Sequence, residues 1–359
     1  LYVRLSVRVE AGDEEIAIDD LKVDGYNGLI WKTIPGSSAW ETGSNWTSGS
    51  EPSSSDQVYL IGSSINPIIS DGSLAEAQGL NILNGGSLVI SKDGQLTVPG
   101  EILVDGSSQL IIESDSDESG SLIAKQASTP TITYKNYIYS AQWKLIGLPV
   151  SGEVVNDVDD NLLTNGSKTA IGFYDNDKSG GAGWDGFNAG STDASELINT
   201  RGYEIRRASS DGTVSFTGTM LNSDLTNVSI TTENSPGNSW NLVGNPFPSY
   251  LRMTDDSGDT TNNFLRVNAS AIDDTAEAIY GWNGTSYDIY DHGDASGRPD
   301  LIAPGTGFFI YAASDTNVSF TEAMQVHSGG IGFHGSVVQG SQITRKANVT
   351  IKMSSCLKN

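Results

Sequence analysis

Cysteine, histidine and positive charge are scarce in this sequence of 359 residues. The one cysteine, Cys356, cannot form an intrachain disulfide, so stability has to come from packed cores, strand ladders or bound metal. The 44 acidic residues outnumber the 20 basic ones, and the net charge of −24 repels phosphate backbones and anionic lipids. This balance argues against nucleic acid as a partner.

Long apolar runs are missing as well. No segment approaches the roughly 18 consecutive apolar residues that predict a membrane-spanning helix, so we expect no membrane insertion. The first residues, Leu1 to Val7, alternate like a strand and do not resemble a signal peptide. We therefore expect that a longer precursor was cut and that any targeting signal lies outside this sequence.

The residues that are abundant are those of turns and strands. Gly, Ser, Thr, Asn and Asp dominate the polar part of the chain, whereas strong helix formers are few, which predicts an all-β protein. Alternating apolar residues in 1–25 predict two strands, the C-terminal strands of a truncated β-sandwich. Within them, Glu15–Val23 resembles the closing strand of jelly-roll modules in secreted bacterial proteins. Residues 26–56, with three tryptophans, are predicted to form a linker that caps the next unit.

Residues 57–136 differ from the rest, because short apolar triplets recur at close to eight-residue spacing with glycines between them. Three such strands per turn give a coil of roughly two dozen residues, in which each rung buries its inward side chains against its neighbours. A short parallel β-solenoid is the leading interpretation, and a meander of hairpins is the alternative. The triplets are Leu80–Ile82, Leu88–Ile90, Leu96–Val98, Ile102–Val104 and Leu110–Ile112.

One pattern occurs twice in residues 137–335. Trp143–Pro149 and Trp240–Pro246 both read W-x-L-[IV]-G-x-P, and two later segments repeat in the same order, at offsets of 97, 105 and 104 residues. We therefore predict a duplicated β-sandwich, because each amphipathic sheet needs a second layer. The halves are placed at about 137–232 and 233–335, with a terminal strand or tail at 336–359, and the later pairs are Gly202–Ile205 with Gly307–Ile310 and Val214–Met220 with Val318–Met324.

The second copy extends into a longer match. Trp240–Ser249, Ile279–Gly284 and Ile302–Ile310 together resemble a module of large secreted Bacteroidetes proteins, in which it follows a glycine-rich solenoid and precedes a type IX secretion sorting domain. The resemblance covers roughly residues 40–335. It implies export across the outer membrane, with display at the cell surface or release from it, and it implies no reaction.

One loop has the composition of a calcium site. Asp175, Asp177 and Ser179 place oxygen ligands at alternate positions, and Asp185 is the next acid along the chain. The twelfth position of such a loop, which a bidentate acid normally fills, is Gly186. Calcium is therefore one hypothesis for this segment, and a solvated turn between two strands is the other.

Four aromatic residues are candidates for carbohydrate binding. Trp184, Trp282, Tyr287 and Tyr290 lie in segments rich in Gly, Asn and Asp, which are typical of exposed loops. In such loops a ring face stacks on a sugar while nearby amides and carboxylates bind its hydroxyls. The two tryptophans that begin the repeated motif are instead predicted to lie in the core.

Patterns that carry catalysis are missing from the sequence. The three histidines match no short zinc spacing, no G-x-S-x-G serine follows a buried strand and opens a helix, and no G-x-x-x-x-G-K loop is present. Adjacent acids on a strand point to opposite faces, so they cannot flank one glycosidic bond. A solenoid lyase is also disfavoured, because about three rungs offer little groove for a polymer. We therefore predict that the protein is not an enzyme.

The fold and the charge together predict a role outside the cell. A ladder of strands gives reach, and a dense acidic surface keeps the protein soluble and able to take up divalent cations. We predict an extracellular structural or adhesive segment of a large secreted or surface-displayed protein, with other domains of that protein or other surface proteins as partners. The alternative is a carbohydrate-binding accessory region of a secreted polysaccharide-degrading enzyme, with glycans as partners.

Overall fold

The computed structural model describes residues 25–125, 129–178, 183–190, 195–233, 238–292 and 301–327. Strands account for 45% of the structure and helices for 8%, which confirms the all-β prediction. The strands predicted in residues 1–25 lie outside the described residues except for Gly25, and so does the terminal segment 336–359.

Residues 29–124 form a parallel β-solenoid of about three turns, as predicted. Val58 pairs in parallel with Leu80, and Leu80 pairs with Ile102, so one coil takes 22 residues. Parallel pairing excludes the hairpin meander, in which neighbouring strands run antiparallel. The strands are β1 (Leu29–Ile30), β2 (Gln57–Ile61), β3 (Ile68–Ile69), β4 (Leu74–Glu76), β5 (Gly79–Leu83), β6 (Ser87–Ile90), β7 (Gln95–Val98), β8 (Ile102–Val104), β9 (Gln109–Glu113), β10 (Ser121–Ala124) and β11 (Thr131–Ile138).

Each coil contributes one strand to each of three faces. β1, β2, β5 and β8 form the first face, β3, β6 and β9 the second, and β4, β7 and β10 the third. Alternate residues point inward, so equivalent side chains such as Val58, Leu80 and Ile102 stack in register and are all buried. The stacking of apolar side chains between rungs thus produces the core.

The N-terminal end of the solenoid is closed by residues 26–56. Trp31, Trp40 and Trp46 are fully buried, and the ring centroid of Trp46 lies 5.0 Å from that of Trp31 and 4.7 Å from that of Trp40. Both contacts are edge-to-face, the geometry that aromatic pairs prefer. The indole Nε1 of Trp46 donates to the Trp40 carbonyl at 2.8 Å. The segment is therefore a packed cap with its own hydrogen bonds.

The remaining strands form two units with the same strand order. The first contains the order β12-β17-β15, with β16 beside β15, and the second contains β20-β25-β22-β23. This agreement supports the predicted duplication. The strands are β12 (Lys144–Ile146), β13 (Val150–Ser151), β14 (Thr164–Asn165), β15 (Lys168–Asp175), β16 (Gly183–Asn188), β17 (Tyr203–Ile205), β18 (Gly212–Met220), β19 (Leu225–Ile230), β20 (Trp240–Gly244), β21 (Tyr250–Arg252), β22 (Ile279–Trp282), β23 (Tyr287–Tyr290), β24 (Leu301–Ile302), β25 (Gly307–Tyr311), β26 (Thr316–Phe320) and β27 (Gln325–Val326).

Helical segments are short and lie between strands. The helix α2 begins at a cap in which the Asn263 side chain accepts a hydrogen bond from the Arg266 amide. The helices are α1 (Val155–Val158) and α2 (Phe264–Val267), and the 3-10 turns are Gly43–Asn45, Asp159–Asn161, Asp255–Ser257, Asp274–Ala276 and Glu322–Met324.

The solenoid and the first repeat share one sheet. Strand β11 runs parallel to β9 of the last coil, and β18 of the first repeat then pairs antiparallel with β11 along eight residues. The resulting six-stranded sheet has the order β13-β18-β11-β9-β6-β3. One hydrophobic core accordingly extends from Trp31 to Met220. The second repeat has a separate core. β19, which was predicted to belong to the first half, pairs with β26 and contributes Val228 and Ile230 to this core, so residues from Leu225 onward are part of the second repeat.

Candidate functional site at the interface of the two repeats

The repeated motif brings two equivalent glycines into contact. A Cβ atom added to Gly147 would lie 2.7 Å from the Gly244 Cα, and one added to Gly244 would lie 2.6 Å from the Gly147 Cα. These distances are too short for any side chain, and backbone atoms stand on both sides. The glycine of W-x-L-[IV]-G-x-P is therefore what allows the two copies to approach each other.

A second pair of equivalent glycines completes the approximate two-fold arrangement. A Cβ on Gly202 would lie 2.8 Å from the Val243 carbonyl oxygen, and one on Gly307 would lie 2.5 Å from the Ile146 oxygen. Ile146 and Val243 are themselves equivalent positions of the motif. Backbone hydrogen bonds also cross the interface, since the Gly202 amide donates to the Leu242 oxygen at 3.1 Å. The two repeats are thus interlocked through their backbones.

The four predicted sugar-stacking residues lie on strands, so the prediction that they occupy exposed loops is wrong. Trp184 on β16 and Tyr290 on β23 are each only 5% exposed, while Trp282 and Tyr287 are partly buried. Trp184 lies opposite Tyr174 in the β15–β16 pairing and faces the second repeat. Three of the rings pack in an aromatic cluster between the repeats, and Tyr290 lies in the core of the second repeat. Glycan binding by these residues stays an untested prediction.

This aromatic cluster contains buried polar atoms that have no hydrogen-bond partner among the described residues. The Trp184 Nε1, the Trp282 Nε1 and the Tyr287 hydroxyl are buried and make no hydrogen bond to another described residue. Burial raises the pKa of Tyr287 far above its usual value, with smaller contributions from Tyr174 and Glu204, so the phenol stays protonated. Each unpaired donor costs free energy, because water would otherwise satisfy it.

The tryptophans of the motif are less buried than predicted. Trp143 and Trp240 are both half-buried. The Trp240 ring packs edge-on against Tyr280 at 4.7 Å and Tyr311 at 4.9 Å between ring centroids. Trp240 thus lies at the edge of the aromatic cluster, with part of its surface facing solvent.

Two of the predicted calcium ligands, Asp175 and Asp185, interact with other groups of the protein. Asp175 Oδ1 accepts the Asp177 amide at 3.0 Å, as in an ordinary Asx turn, and Asp185 lies 3.6 Å from the Lys178 ammonium. Ser179 lies outside the described residues. Within the part of the chain that is described, no three His, Cys, Asp or Glu side chains come close enough to hold a metal ion. Calcium binding at this loop stays a prediction.

A groove of about 340 Å³ lies between the two repeats. The first repeat contributes Arg201, Asp175 and Ile198, and the second contributes Trp240 and Ser229. Its volume falls within the range of small-molecule sites, which is roughly 300–1,000 Å³. The groove therefore combines aromatic, charged and hydroxyl groups.

Asparagine side chains join the repeats beside this groove. The Asn176 amide of the first repeat donates to the Thr231 carbonyl and hydroxyl of the second, both at 3.0 Å. The Asn241 amide donates to the same carbonyl at 2.8 Å. Because these amides already donate to Thr231, they hold the wall of the groove in place and are not free to bind a ligand.

Arg201 is half-buried in the groove, and sequence reasoning missed it. Its guanidinium carbon lies 3.8 Å from the centre of the Phe173 ring, a cation–π contact. Burial lowers the pKa of Arg201, while Tyr203, Asp175 and Asp185 act in the opposite direction. No hydrogen bond or salt bridge joins its guanidinium to another side chain in the described ranges. The available signal was its position directly before Gly202 of the repeat, where the second copy has Thr306.

His327 fastens β27 to the solenoid. Its Nε2 lies 2.8 Å from the Thr97 hydroxyl and its Nδ1 lies 2.9 Å from the Ser121 hydroxyl. Burial lowers the pKa of His327 to about 4, with a smaller effect of Lys125, so the ring is neutral at pH 7. Ser121 is fully buried, which leaves no room for a substrate at its hydroxyl. The arrangement is therefore a structural hydrogen-bonded clip.

Comparisons with known proteins give a family but no activity. The family described as Domain of unknown function (DUF8693) matches residues 30–352. No curated protein and no solved structure matches the chain. Among the residues with described positions, no helix combines the length and the apolar character needed to cross a membrane. Because the match spans the solenoid and both interlocked repeats, the chain belongs to the DUF8693 family.

Proposed function

We propose that this protein is a non-enzymatic, extracellular structural or adhesive segment of a larger secreted or surface-displayed bacterial protein. The observation that carries the proposal is the six-stranded sheet that joins the last solenoid coils to the first repeat. A segment that holds other domains apart has to resist bending at its joints, and a continuous ladder removes a flexible joint at this place.

The second repeat is also tied to the solenoid end. The Tyr134 hydroxyl on β11 donates to the Pro304 carbonyl at 2.8 Å, and the Asn136 amide donates to the Gly305 carbonyl at 2.8 Å. The Leu122 amide donates to the Pro248 carbonyl at 2.7 Å. All three parts are therefore connected by buried hydrogen bonds, which supports a single rigid body.

A buried lysine strengthens the joint between β11 and β12. The Lys144 ammonium donates to the Asn136 Oδ1 at 2.9 Å and to the Tyr137 carbonyl at 2.8 Å. Burial lowers the pKa of Lys144 to about 7. Removing an ammonium group from water costs free energy, and this cost is offset only when the hydrogen-bond acceptors around the group stay in place. The buried Lys144 therefore favours a rigid structure in this region.

Export and surface display rest on the resemblance of residues 40–335 to secreted Bacteroidetes modules and on the acidic composition. A net charge of −24 keeps an exposed segment soluble and repels anionic surfaces. The partners on this proposal are neighbouring domains of the same protein or other surface proteins.

Single-molecule pulling through the two ends of the full chain tests the rigid-body proposal. The solenoid and the first repeat are expected to unfold in one event, because they share a sheet and a core. Release of the first repeat at a lower force, before the solenoid opens, would contradict the proposal. Turnover of any polysaccharide by the purified chain would contradict the non-enzymatic part.

Tyr134→Phe offers a specific weakening of the joint. The substitution removes the hydroxyl that bonds to Pro304 and lies 3.0 Å from the Ser119 hydroxyl, so the second repeat should separate at lower force. Tyr59→Phe is the matched control, because the Tyr59 ring packs on Tyr26 and its hydroxyl bonds to no residue in the described ranges. Equal unfolding forces in both variants would argue against a tie through Tyr134.

A carbohydrate-binding accessory region remains the second candidate. The observation that favours it is the groove between the repeats, which the partly exposed Trp240 and Arg201 both line. An aromatic wall with a few polar groups is the usual composition of a saccharide site. Binding of any monosaccharide or oligosaccharide to the full chain, measured by calorimetry, tests this candidate.

A further inference from the structure

The groove between the repeats is lined by Arg201, whose positive charge forms no salt bridge with any residue that the structure describes. The described part of the chain holds Arg201 against Phe173 without an ion pair, although acidic residues outnumber basic ones more than two to one over the whole chain. Some basic side chains of the described ranges pair with a carboxylate, as Lys92 does with Asp115, and others donate to a carbonyl oxygen, as Arg206 does to Ser140. The Arg201 guanidinium does neither within these ranges. Arg201 is therefore available to pair with an anion from outside.

The backbone fixes Arg201 in place. The Arg201 amide donates to the Ile198 carbonyl at 3.0 Å, and its residue forms a bridge with Val243 of the second repeat. The next crossing bond joins the Gly244 amide to the Thr200 carbonyl at 3.0 Å. The Arg201 backbone is thus held by both repeats, and the Phe173 ring restrains its guanidinium, so less conformational freedom is lost when a ligand binds.

The duplication itself does not require this arginine. The position equivalent to Arg201 in the second repeat is Thr306, which is only 1% exposed. A residue needed only for the interlock would be expected to serve both copies. The asymmetry separates Arg201 from the structural glycine that follows it, Gly202.

The other groups of the groove determine what kind of anion fits. Trp240 and Tyr174 supply aromatic surface, and Ser229 on β19 supplies an exposed hydroxyl. Asp175 also lines the groove, which disfavours a ligand with a second negative charge and offers an acceptor for hydroxyl groups. The favoured ligand has one carboxylate, several hydroxyls and an apolar ring face.

We propose that the groove between the repeats binds an acidic sugar of the uronic-acid class, with its carboxylate on Arg201 and its ring against Trp240. Arginine presents two parallel N–H donors that match a carboxylate, and an aromatic side chain stacks on the C–H face of a sugar. The proposal rests on the second candidate function and is independent of the structural one.

Calorimetry of the full chain with three probes tests the proposal. Sodium glucuronate is expected to bind, and glucose and acetate are expected to bind at least about tenfold more weakly, because each lacks one of the two contacts. Arg201→Gln should weaken glucuronate binding about tenfold or more, and Arg201→Lys should give a smaller loss, because it keeps the charge but not the fork.

Arg207→Gln is the matched control. It removes the same charge at a side chain that bonds the Ser210 and Thr213 carbonyls outside the groove, so glucuronate affinity should not change. Thermal unfolding of each variant reports whether it folds, and Arg201→Lys keeps the test informative if Arg201→Gln does not.

The probes separate the ways in which the proposal fails. Equal binding of glucose and glucuronate would overturn the role of Arg201 while leaving carbohydrate binding intact. Equal binding of acetate and glucuronate would overturn the sugar class. Absence of binding by all three probes would overturn the proposal, and binding that Arg201→Gln and Arg207→Gln weaken equally would do the same.

Discussion

Substitution of the motif glycines should destabilise the protein sharply. In Gly244→Ala the new methyl carbon would lie 2.6 Å from the Gly147 Cα and 3.0 Å from the Arg201 oxygen, both backbone atoms. Such contacts cannot be relieved by a side-chain rotation, so the repeats have to move apart. Overpacking of a core typically costs about 1–3 kcal/mol, and we expect the upper end of that range because backbone stands on both sides.

Urea unfolding, followed by tryptophan fluorescence, measures this cost. Gly106→Ala is the matched control, since a Cβ there meets no atom within 4 Å and its φ is not positive. The control should leave the free energy of unfolding unchanged or raise it by up to about 1 kcal/mol. A Gly244→Ala variant that unfolds at the same urea concentration as the control would refute the interlock.

The equivalence of the two glycines gives a further test of the same reasoning. Gly147→Ala should cost about as much as Gly244→Ala, because its Cβ would lie 2.7 Å from both the Gly244 Cα and the Asn245 nitrogen. The first substitution already separates the backbones, so the double variant should cost less than the sum of the two, with a coupling of about 1 kcal/mol or more. Strict additivity would indicate that the two sites do not share one contact.

Trp46→Ala should lower the free energy of unfolding, measured by urea titration, by about 3–5 kcal/mol because it removes a fully buried ring of the cap. Ile34→Ala is the control, because Ile34 is 83% exposed, and it should have no measurable effect in the same titration. Tyr287→Phe should leave stability unchanged or raise it by about 1 kcal/mol, because it deletes a buried hydroxyl without a described partner; a large loss would show that the hydroxyl is paired. Burial lowers the pKa of His327 from 6.5 to about 4, so as the pH falls the histidine is protonated in the unfolded chain before it is protonated in the folded one. The free energy of unfolding should therefore be highest above pH 6.5 and should fall by about 3 kcal/mol between pH 6.5 and pH 4. His327→Gln should flatten this part of the stability profile between pH 7 and pH 4, and an unchanged slope would contradict the assignment.

The sequence predicts the solenoid and the duplication well because both produce short sequence patterns that repeat along the chain. Apolar triplets such as Leu80–Ile82 recur at the spacing of the coil, and the offsets between Gly147 and Gly244 or between Gly202 and Gly307 are visible by comparison of the two copies. Stacked and paired elements repeat their local sequence, so their existence can be inferred without knowledge of long-range contacts.

The shared sheet and the site could not be predicted in this way. Thr131 pairs with Thr219, which is far away in the sequence, and neither strand has a sequence feature that indicates which strand it pairs with. Trp184 lies among glycines and aspartates, yet it is buried because the second repeat covers its face of β16. Arg201 is a single residue outside any recognisable motif, so its position in the groove between the repeats can be seen only in the structure.

Hydrogen exchange of the intact chain, read by mass spectrometry on peptides from β9, β11, β18 and β15, tests directly whether the solenoid and the first repeat are one body. Amides of β18 should open with the same free energy as those of β9 and β11, because the six-stranded sheet breaks only when the common core is lost. Exchange of β18 together with β15, at a lower free energy and while β9 stays protected, would show two separate bodies and contradict the account.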